Sequence, residues 1–505
     1  MFARLSLCLP LLVAAAASGQ ERPRNVIVMI ADGSGYDTLA ATRYWTGEPL
    51  AVDEGDWLRL SMSPYALRGG EETVDGFGSG DQVPDYEYDP ARNYDARPVE
   101  GVEGVYPRGF AGYEWNREFR PDSANTMTSM MTGVVTYPGA INIGGDGEKL
   151  RSLAEAAKES GRRVGSVSSV PFNHATPASG GGAHATDRNF YHDIARELFA
   201  SGTADVLGGP ADPERDDDGR LRDEPLYDYM PADLWADLTS GIAETDGGER
   251  WTLVRDAHAI RDLAQGRTPS RLALIPRVAR TLQQKRSSLG DDKTTSPGDD
   301  PLTSGLPSLT DIALAALNAV DDDEDGFFLM VEGGAADWAM HDNEFGRMIE
   351  EYEDFDAAVR AVVAALESGE RGYSFDDTLL VVTADHDHLL CGPNAATVPF
   401  EPVQDRGPGV LPGYRWMSGH HSLRLVPFFA RGAGAEGFVG LADEEDVVPI
   451  EAPRSVEGGG MYLRQWEMGR YLIDLVDGVP GEESDAPIEV INEAEPTTKP
   501  ATRPA

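Results

Sequence analysis

The stretch that most constrains the fold of this chain is residues 327–341, FFLMVEGGAADWAMH. It opens with an unbroken apolar run, FFLMV, and a run so short and aromatic is typical of a strand buried on both faces of a parallel sheet. Glu332 and two glycines follow, and Asp337 and His341 stand four residues apart, so they would share one face of a helix. Three candidate metal ligands therefore leave the C-terminal end of one buried strand, the edge where open α/β sheets bind their ligands.

Other apolar runs also deliver ligand-type residues where they end. Residues 25–30, NVIVMI, lead to Asp32, which taken alone is explained equally well as a capping residue in a strand-to-helix turn. Residues 378–383, TLLVVT, lead to Asp385 and His386, and adjacent side chains at a strand end can diverge around one ion. The pattern predicts an α/β fold with a large, mostly parallel central sheet flanked by helices on both faces.

The rest of the sequence predicts helices and strands that alternate along the chain. Helices are predicted at 150–160, 309–320 and 345–366, and a helix-like pattern covers 251–284. Further strands are predicted at 164–170, 204–207 and 426–430.

The chain divides by composition into three parts. Residues 1–19 resemble a secretory signal peptide, with Arg4 before an apolar run too short to span a bilayer, so we expect export to the periplasm or the medium. Residues 20–482 are expected to form one domain with surface insertions at about 69–120 and 210–305, the first either a lid or a structural elaboration. Residues 483–505 are rich in Pro, Thr and Glu and are expected to be disordered.

Charge and cysteine content limit the function. The formal net charge of −43 argues against nucleic acid as a partner, and an anionic substrate would need a locally positive site, which metal ions provide. Without Cys8 in the signal segment, Cys391 stands alone, so no intramolecular disulfide is expected.

A helix is predicted to begin at Ser123 in PDSANTMTSMMTG. A serine there is most often an N-cap, although the same position lies in a field that favours anions. Together with His421, the strand-end residues offer more ligands than one ion needs. Mixed Asp and His sets suit two zinc ions, and Glu332 with hydroxyl and carboxylate oxygens suits magnesium.

At this point the sequence resembles the alkaline phosphatase family, with motifs in the same order from about residue 25 to residue 432. The resemblance rests on Asp32-Gly33, Asp122-Ser123-Ala124, His174-Ala175-Thr176-Pro177, Arg188 in DRNFY, VEGGAADWAMH, TADHDH and HSLRLVPFFARG. It implies a phosphomonoesterase that uses two zinc ions, one magnesium ion and a phosphoseryl intermediate on small-molecule phosphate monoesters, and it allows a homodimer.

The resemblance also implies residue roles. The first zinc would be bound by Asp337, His341 and His421, the second by Asp32, Asp385, His386 and the Ser123 hydroxyl, and magnesium by Asp32, Thr176 and Glu332. Arg188 would grip two phosphate oxygens with its planar fork. His388 is either a partner of a metal ligand or a solvated histidine. The roles of Asp122, His174 and Trp338 are open, because His174 stands where some members have Asp, and Trp338 where many have Lys or His.

Three other interpretations compete. Asp321, Asp323, Asp325 and Glu332 fit the spacing of a calcium loop, although the intervening FFLMV run is too apolar for one. The second interpretation is that the chain is an acidic binding protein without catalytic activity. A different esterase on the same metal core is the third: a sulfatase would need a modifiable residue in a Pro- and Arg-containing motif, which SANTM lacks. A phosphodiesterase commonly has a Thr nucleophile and no third metal set, whereas Ser123, Arg188 and Thr176 are all present.

Overall fold

The structure is a computed structural model that describes residues 22–68, 87–287, 296–321, 323–442, 444–445 and 461–478. The predicted signal peptide and the predicted C-terminal tail lie outside the described residues. Among the described residues, no helix has the length and apolarity needed to cross a bilayer.

One large sheet organises the fold. The strands are β1 Asn25–Ile30, β2 Leu58–Ser63, β3 Pro98–Glu103, β4 Tyr106–Phe110, β5 Arg163–Ser168, β6 Val206–Gly208, β7 Thr252–Val254, β8 Leu272–Leu274, β9 Phe327–Glu332, β10 Thr378–Thr383, β11 Asp387–Cys391, β12 Arg415–Ser422, β13 Val426–Gly432, β14 Glu444–Glu445 and β15 Met461–Arg464. Eleven of these described strands form the sheet in the order β14-β15-β2-β13-β10-β1-β9-β5-β6-β8-β7, while β11 pairs with β12 and β3 with β4. From β10 to β7 every neighbouring pair is parallel.

Helices cover both faces of the sheet. They are α1 Tyr36–Thr46, α2 Pro90–Asn93, α3 Ala111–Glu118, α4 Ser123–Thr132, α5 Leu153–Glu159, α6 Ala175–Gly180, α7 Tyr191–Ala200, α8 Ala232–Ser240, α9 Ala257–Leu263, α10 Leu309–Val320, α11 Ala335–His341, α12 Phe345–Ser368, α13 Phe438–Leu441 and α14 Gln465–Asp477, with 3₁₀ turns at Ala51–Asp53 and Ala435–Gly437. Strand β1 shows the two layers: Val26 and Val28 pack in one apolar cluster with α4, α5 and α14, whereas Ile27 and Met29 pack in another with α10 and α12. The predicted fold class is confirmed.

Several predicted elements have the expected bounds. β1, β10 and α10 occupy the predicted residues, and α10 begins with a reciprocal capping pair, Ser308 and Asp311. The competing interpretation of a calcium loop does not fit the structure, because Phe327–Glu332 is a fully buried strand in the middle of the sheet and Asp321 is ion-paired to Arg371.

One region differs from expectation. The segment 251–284 is not continuously helical, since it contains β7, α9 and β8, and both three-residue strands extend the main sheet. In the described part of the first predicted insertion, β3 and β4 form a hairpin with a largely exposed β3, and α3 buries Tyr113 completely.

Candidate metal centre and active site

The carboxyl edge of the sheet gathers the candidate ligands. Ile30, the last residue of β1, pairs with Glu332 of β9 on one side and with Thr383 of β10 on the other. Because the three strands are parallel and end at the same level, Asp32, Glu332 and Asp385 meet at one edge. All three side chains are completely buried.

Ser123 is the first residue of α4 and is not its N-cap. The cap is Asp122, whose carboxylate accepts from Asn125 N at 3.1 Å, while the Asn125 side chain accepts from Asp122 N at 2.8 Å. The Ser123 hydroxyl is therefore released from capping. It lies 3.3 Å from His386 Nε2, at the N-terminus of a helix, where the helix dipole favours an anion.

Asp32, Asp385 and His386 form the first ligand set. His386 Nε2 lies 3.2 Å from Asp385 Oδ2 and 3.5 Å from Asp32 Oδ1. Asp385 also accepts hydrogen bonds from Gly33 N at 3.0 Å and from the Thr126 hydroxyl at 3.2 Å. Among the described residues neither carboxylate oxygen of Asp32 has a hydrogen-bond partner, which is costly for a buried group unless a cation completes the set.

Glu332 and Thr176 lie beside this set. Ser168 of β5, the register partner of Glu332, donates a hydrogen bond to Glu332 Oε2. The other oxygen of Glu332 and the hydroxyl of Thr176 have no partner in the described part of the chain, although both are buried. Two such oxygens, together with Asp32, are the donor set that a hard cation such as magnesium prefers.

The second ligand set surrounds Asp337, where α11 brings Asp337 and His341 to one face as predicted. Asp337 Oδ1 lies 2.7 Å from His388 Nε2, 3.2 Å from His421 Nε2 and 3.5 Å from His341 Nε2. Ligand atoms of Asp337, His386, His388 and His421 all lie within 4.8 Å of one another.

His341 is a peripheral member of this second set, being about one-third exposed with its Nε2 only 2.9 Å from His421 Nε2. Two backbone carbonyls orient these rings. His341 Nδ1 lies 2.9 Å from Gly419 O, and His421 Nδ1 lies 2.8 Å from Pro121 O. If each Nδ1 carries the proton, both Nε2 atoms present lone pairs to the same point, as in zinc sites whose histidines are fixed by outer hydrogen bonds.

The carboxyl groups at the two sets differ in the direction of their pKa shifts. Burial and the negative charges of neighbouring carboxylates raise the pKa of Asp32 well above its ordinary value, and burial raises the pKa of Glu332 to about 7. Burial also acts to raise the pKa of Asp337, but the charge of His341 and the hydrogen bonds from His388 and His421 outweigh it and hold that pKa well below the usual range. The carboxylates around Asp32 thus lack positive charge, which bound metal ions would supply.

Arg188 lies next to Ser123 through Asp122. Its Nη1 donates to Asp122 Oδ2 at 3.0 Å, and its Nη2 lies 3.3 Å from His174 Nε2. Burial and the adjacent guanidinium lower the pKa of His174 to about 3, so this ring is neutral. Trp338 packs its edge against His174 with ring centroids 5.4 Å apart, and Lys285 Nζ lies 5.9 Å from the Trp338 ring.

A cavity opens beside His341. It measures about 620 Å³ and is lined by the β3–β4 turn, α3 and residues 418–420. Arg120 and His420 border it, and the His420 ring lies 5.8 Å from that of His341.

The sequence reasoning did not identify three polar residues that support the site. Ser168 contacts Glu332, and Asp387 and Arg424 form a buried ion pair between the candidate ligands His386, His388 and His421. Asp387 is the second acid of the DHDH motif, but its partner Arg424 is distant in the sequence and could not be inferred from spacing.

The fold and site define a class: α/β proteins that place candidate metal ligands and a serine at a helix N-terminus together at the carboxyl edge of the sheet. The family model described as alkaline phosphatase matches residues 110–208 and 277–400, and so omits most of the region that adds β7 and β8. Alkaline phosphatase 3 of Bacillus subtilis is 28% identical over 381 residues, which are 73% of this chain and 62% of that protein. The human tissue-nonspecific alkaline phosphatase is 26% identical over 404 residues, which are 73% of this chain and 63% of the human protein.

Solved structures agree on the fold. The alkaline phosphatase of Thermus thermophilus superimposes with a TM-score of 0.57 at 18% identity, covering 94% of this chain and 96% of that one. The enzyme from the Antarctic bacterium TAB5 gives 0.56 at 18% identity, covering 90% and 98%. The family model and the curated relatives point to the alkaline phosphatase superfamily, and the solved structures share its fold. Its matches span less than two thirds of the length of the two curated relatives described above.

Proposed function

We propose that this protein hydrolyses phosphate monoesters through a phosphoseryl intermediate at Ser123. The observation that carries the proposal is the position of the Ser123 hydroxyl, which is buried, free of any capping role and 3.3 Å from His386 in a cluster of candidate metal ligands. Arg188, joined to the Asp122 cap, lies beside it and supplies the fork that suits two phosphate oxygens.

The donor atoms fit the metals implied by the resemblance. We assign Asp337, His341 and His421 to one zinc ion, Asp32, Asp385, His386 and the Ser123 hydroxyl to a second, and Asp32, Thr176 and Glu332 to magnesium. Support comes from the unpartnered buried oxygens of Asp32, Glu332 and Thr176 and from the converging Nε2 atoms of His341 and His421. When bound, these ions would supply Lewis acidity that favours ionised serine and stabilises the departing alcohol oxygen.

The residues of the chain have separate tasks in this scheme. Ser123 Oγ attacks phosphorus as the bond to the alcohol oxygen breaks, which leaves the phosphoryl group on the serine. Arg188 holds two of its oxygens, and the N-terminus of α4 adds backbone N–H groups and the positive end of its dipole. Water then cleaves the Ser123 phosphoester and releases inorganic phosphate. His388 orients Asp337 through its 2.7 Å contact with Oδ1, the oxygen that also faces His341 and His421.

We assign the leaving alcohol to the cavity near His341, because His420 lines that cavity and its ring lies 5.8 Å from the ring of His341. Its opening to solvent is compatible with alcohols of varied size. A phosphodiesterase on the same metal core is the alternative, and Glu332 with Thr176 argues against it because they provide the third set that such enzymes commonly lack. Export to the periplasm or the medium and a homodimer stay predictions.

The test is metal analysis of the purified protein together with phosphate release from an aryl monophosphate at alkaline pH. Wild type is expected to contain zinc and magnesium and to release phosphate, whereas Ser123→Ala should keep the metals and lose most of the turnover. Wild-type rates in Ser123→Ala would exclude the phosphoseryl route. Equal or faster turnover of a bis-aryl phosphate by the wild type would instead favour the diesterase.

A further inference from the structure

Arg424 is a buried arginine bonded to the segments that carry the candidate ligands. Its Nε donates to Asp387 Oδ2 at 2.7 Å and its Nη2 donates to Asp387 Oδ1 at 2.9 Å, a two-point contact with that carboxylate. Nη2 also donates to the carbonyls of His388 and Leu390, both at 3.0 Å. Nη1 donates to Asp37 Oδ2 at 3.1 Å. One guanidinium thus joins β11 to the start of α1.

The partners of Arg424 stand next to ligands on two strands. In the β11–β12 ladder, Asp387 pairs with Ser422, and His388 pairs with His421. Ser422 donates its hydroxyl to Asp387 Oδ2 at 2.6 Å, so the carboxylate between His386 and His388 is held by the last residue of β12 and by Arg424 just after that strand. A shift of Asp387 would therefore displace candidate ligands on β11 and β12 together.

The turn after Asp32 packs closely against the carboxylate of Asp387. A Cβ atom on Gly35 would lie 1.7 Å from Asp387 Oδ1, so only glycine lets the backbone approach Asp387 this closely. Asp37, two residues further on, binds Arg424 and also accepts from Val403 N at 3.0 Å. The network consequently relates the segment of Asp32 to the strands of His386 and His421.

We propose that Arg424 is a positioning residue that sets the relative placement of His386, which immediately precedes β11, and His421 of β12, and that its guanidinium fork, beyond its charge, is what zinc binding requires. This inference rests on the proposed function only in assuming that the cluster binds zinc. A lysine at the same place would keep the charge but could not contact both oxygens of Asp387 and the carbonyls of His388 and Leu390 at once.

Arg271 provides a matched control. It is also buried, and it contacts two carboxylates, Glu249 and Asp205, and two carbonyls, those of Gly202 and Ala204. It immediately precedes β8, and therefore lies at the amino edge of the parallel strands, opposite the ligand edge. Arg271→Lys makes the same chemical change in a similar environment away from the candidate ligands.

The experiment measures zinc affinity by competition with a chromophoric chelator on metal-stripped, refilled protein, and thermal unfolding of the metal-free form. Arg424→Lys should bind zinc about 10- to 100-fold more weakly than wild type, the usual cost of losing a partner behind the ligands, while Arg271→Lys should bind zinc as wild type does. The cobalt-substituted Arg424→Lys protein should also show an altered visible spectrum, which reports ligand geometry directly.

Wild-type zinc affinity in Arg424→Lys, or equal weakening in both lysine variants, would overturn the proposal. Asp387→Asn keeps the shape of the partner side chain and decides the question in the same assay if Arg424→Lys does not fold. Because zinc affinity is read without turnover, failure of this proposal is distinguishable from a failure to hydrolyse phosphate monoesters.

Discussion

Two buried glutamates of this protein look alike until their neighbours are compared. Glu332 ends β9 and Glu351 lies in α12, and both are almost inaccessible to solvent. Burial raises the pKa of Glu332 to about 7 and, with help from the charges of Asp354 and Glu350, raises that of Glu351 to about 8. Within the described residues, each also has an Oε1 atom that accepts no hydrogen bond.

Their surroundings differ in what converges on them. Glu332 shares the sheet edge with Asp32 and Thr176, whose buried oxygens also have no partner among the described residues. Around Glu351 the nearby cations are arginines that already bind other carboxylates, since Arg286 contacts Glu350 at 2.7 Å and Arg347 contacts Asp300 at 2.9 Å. A buried acid with a raised pKa therefore does not by itself mark a site, whereas several unpartnered oxygens meeting at one point do.

The largest expected effect separates the two glutamates by activity. Glu332→Gln should lower phosphate release by about 100-fold or more, because an amide weakens the cation site that stabilises charge near the reacting phosphoryl group. Glu351→Gln should leave the rate within about twofold of wild type, a typical result for a change distant from the chemistry. Steady-state kinetics with zinc and magnesium in excess measure both. The comparison fails if Glu351→Gln loses as much activity as Glu332→Gln, or if neither does.

The second effect is on stability and concerns Glu351. Its pKa is raised from 4.5 to about 8, so the folded state opposes ionisation, and the wild type loses stability as pH rises from about 4.5 through 8. Glu351→Gln cannot ionise, and its free energy of unfolding relative to wild type should rise over that window and level off above it. The gain at pH 9 should be a few kcal/mol, since one pKa unit corresponds to about 1.4 kcal/mol.

Denaturant unfolding of the metal-loaded proteins at pH 5, 7 and 9 measures this difference. Comparison with wild type at each pH cancels the titration of every other group that the substitution leaves unchanged. A difference that does not grow with pH would show that the carboxyl of Glu351 is not held neutral by its surroundings.

The fold could be predicted from the sequence wherever burial leaves a local pattern. β1, β9 and β10 are covered on both faces and are therefore continuous apolar runs, and the period of α10 is equally clear. The strands β7 and β8 have three residues each, too few to show a period, and they are strands only because β6 supplies an edge to pair with. The prediction of a helical segment at 251–284 was wrong for that reason.

The residues of the candidate site likewise fall into those that a short stretch of sequence reveals and those whose contacts depend on the pairing of distant strands. Asp337 with His341, and Asp385 with His386, were visible because each pair is close in sequence and stands at the end of a strand. The contact of Asp387 with Arg424 depends on how β11 pairs with β12, and that of Ser168 with Glu332 depends on β5 lying beside β9. Strand pairing between distant segments is not encoded in any short window, so these supporting residues could not be found from the sequence.

The smallest effect tests the support that Glu332 receives from its neighbouring strand. Ser168→Ala removes the hydroxyl that donates to Glu332 Oε2, and should raise the magnesium concentration needed for half-maximal activity by about tenfold. Ser166 is the control, because it lies two residues earlier on the same strand and donates its buried hydroxyl to Pro177 O at 2.7 Å. Ser166→Ala should leave the magnesium requirement unchanged. If both variants shift it equally, the effect belongs to the packing of β5, and the distinction between Glu332 and Glu351 would then rest on the converging oxygens of Asp32 and Thr176 alone.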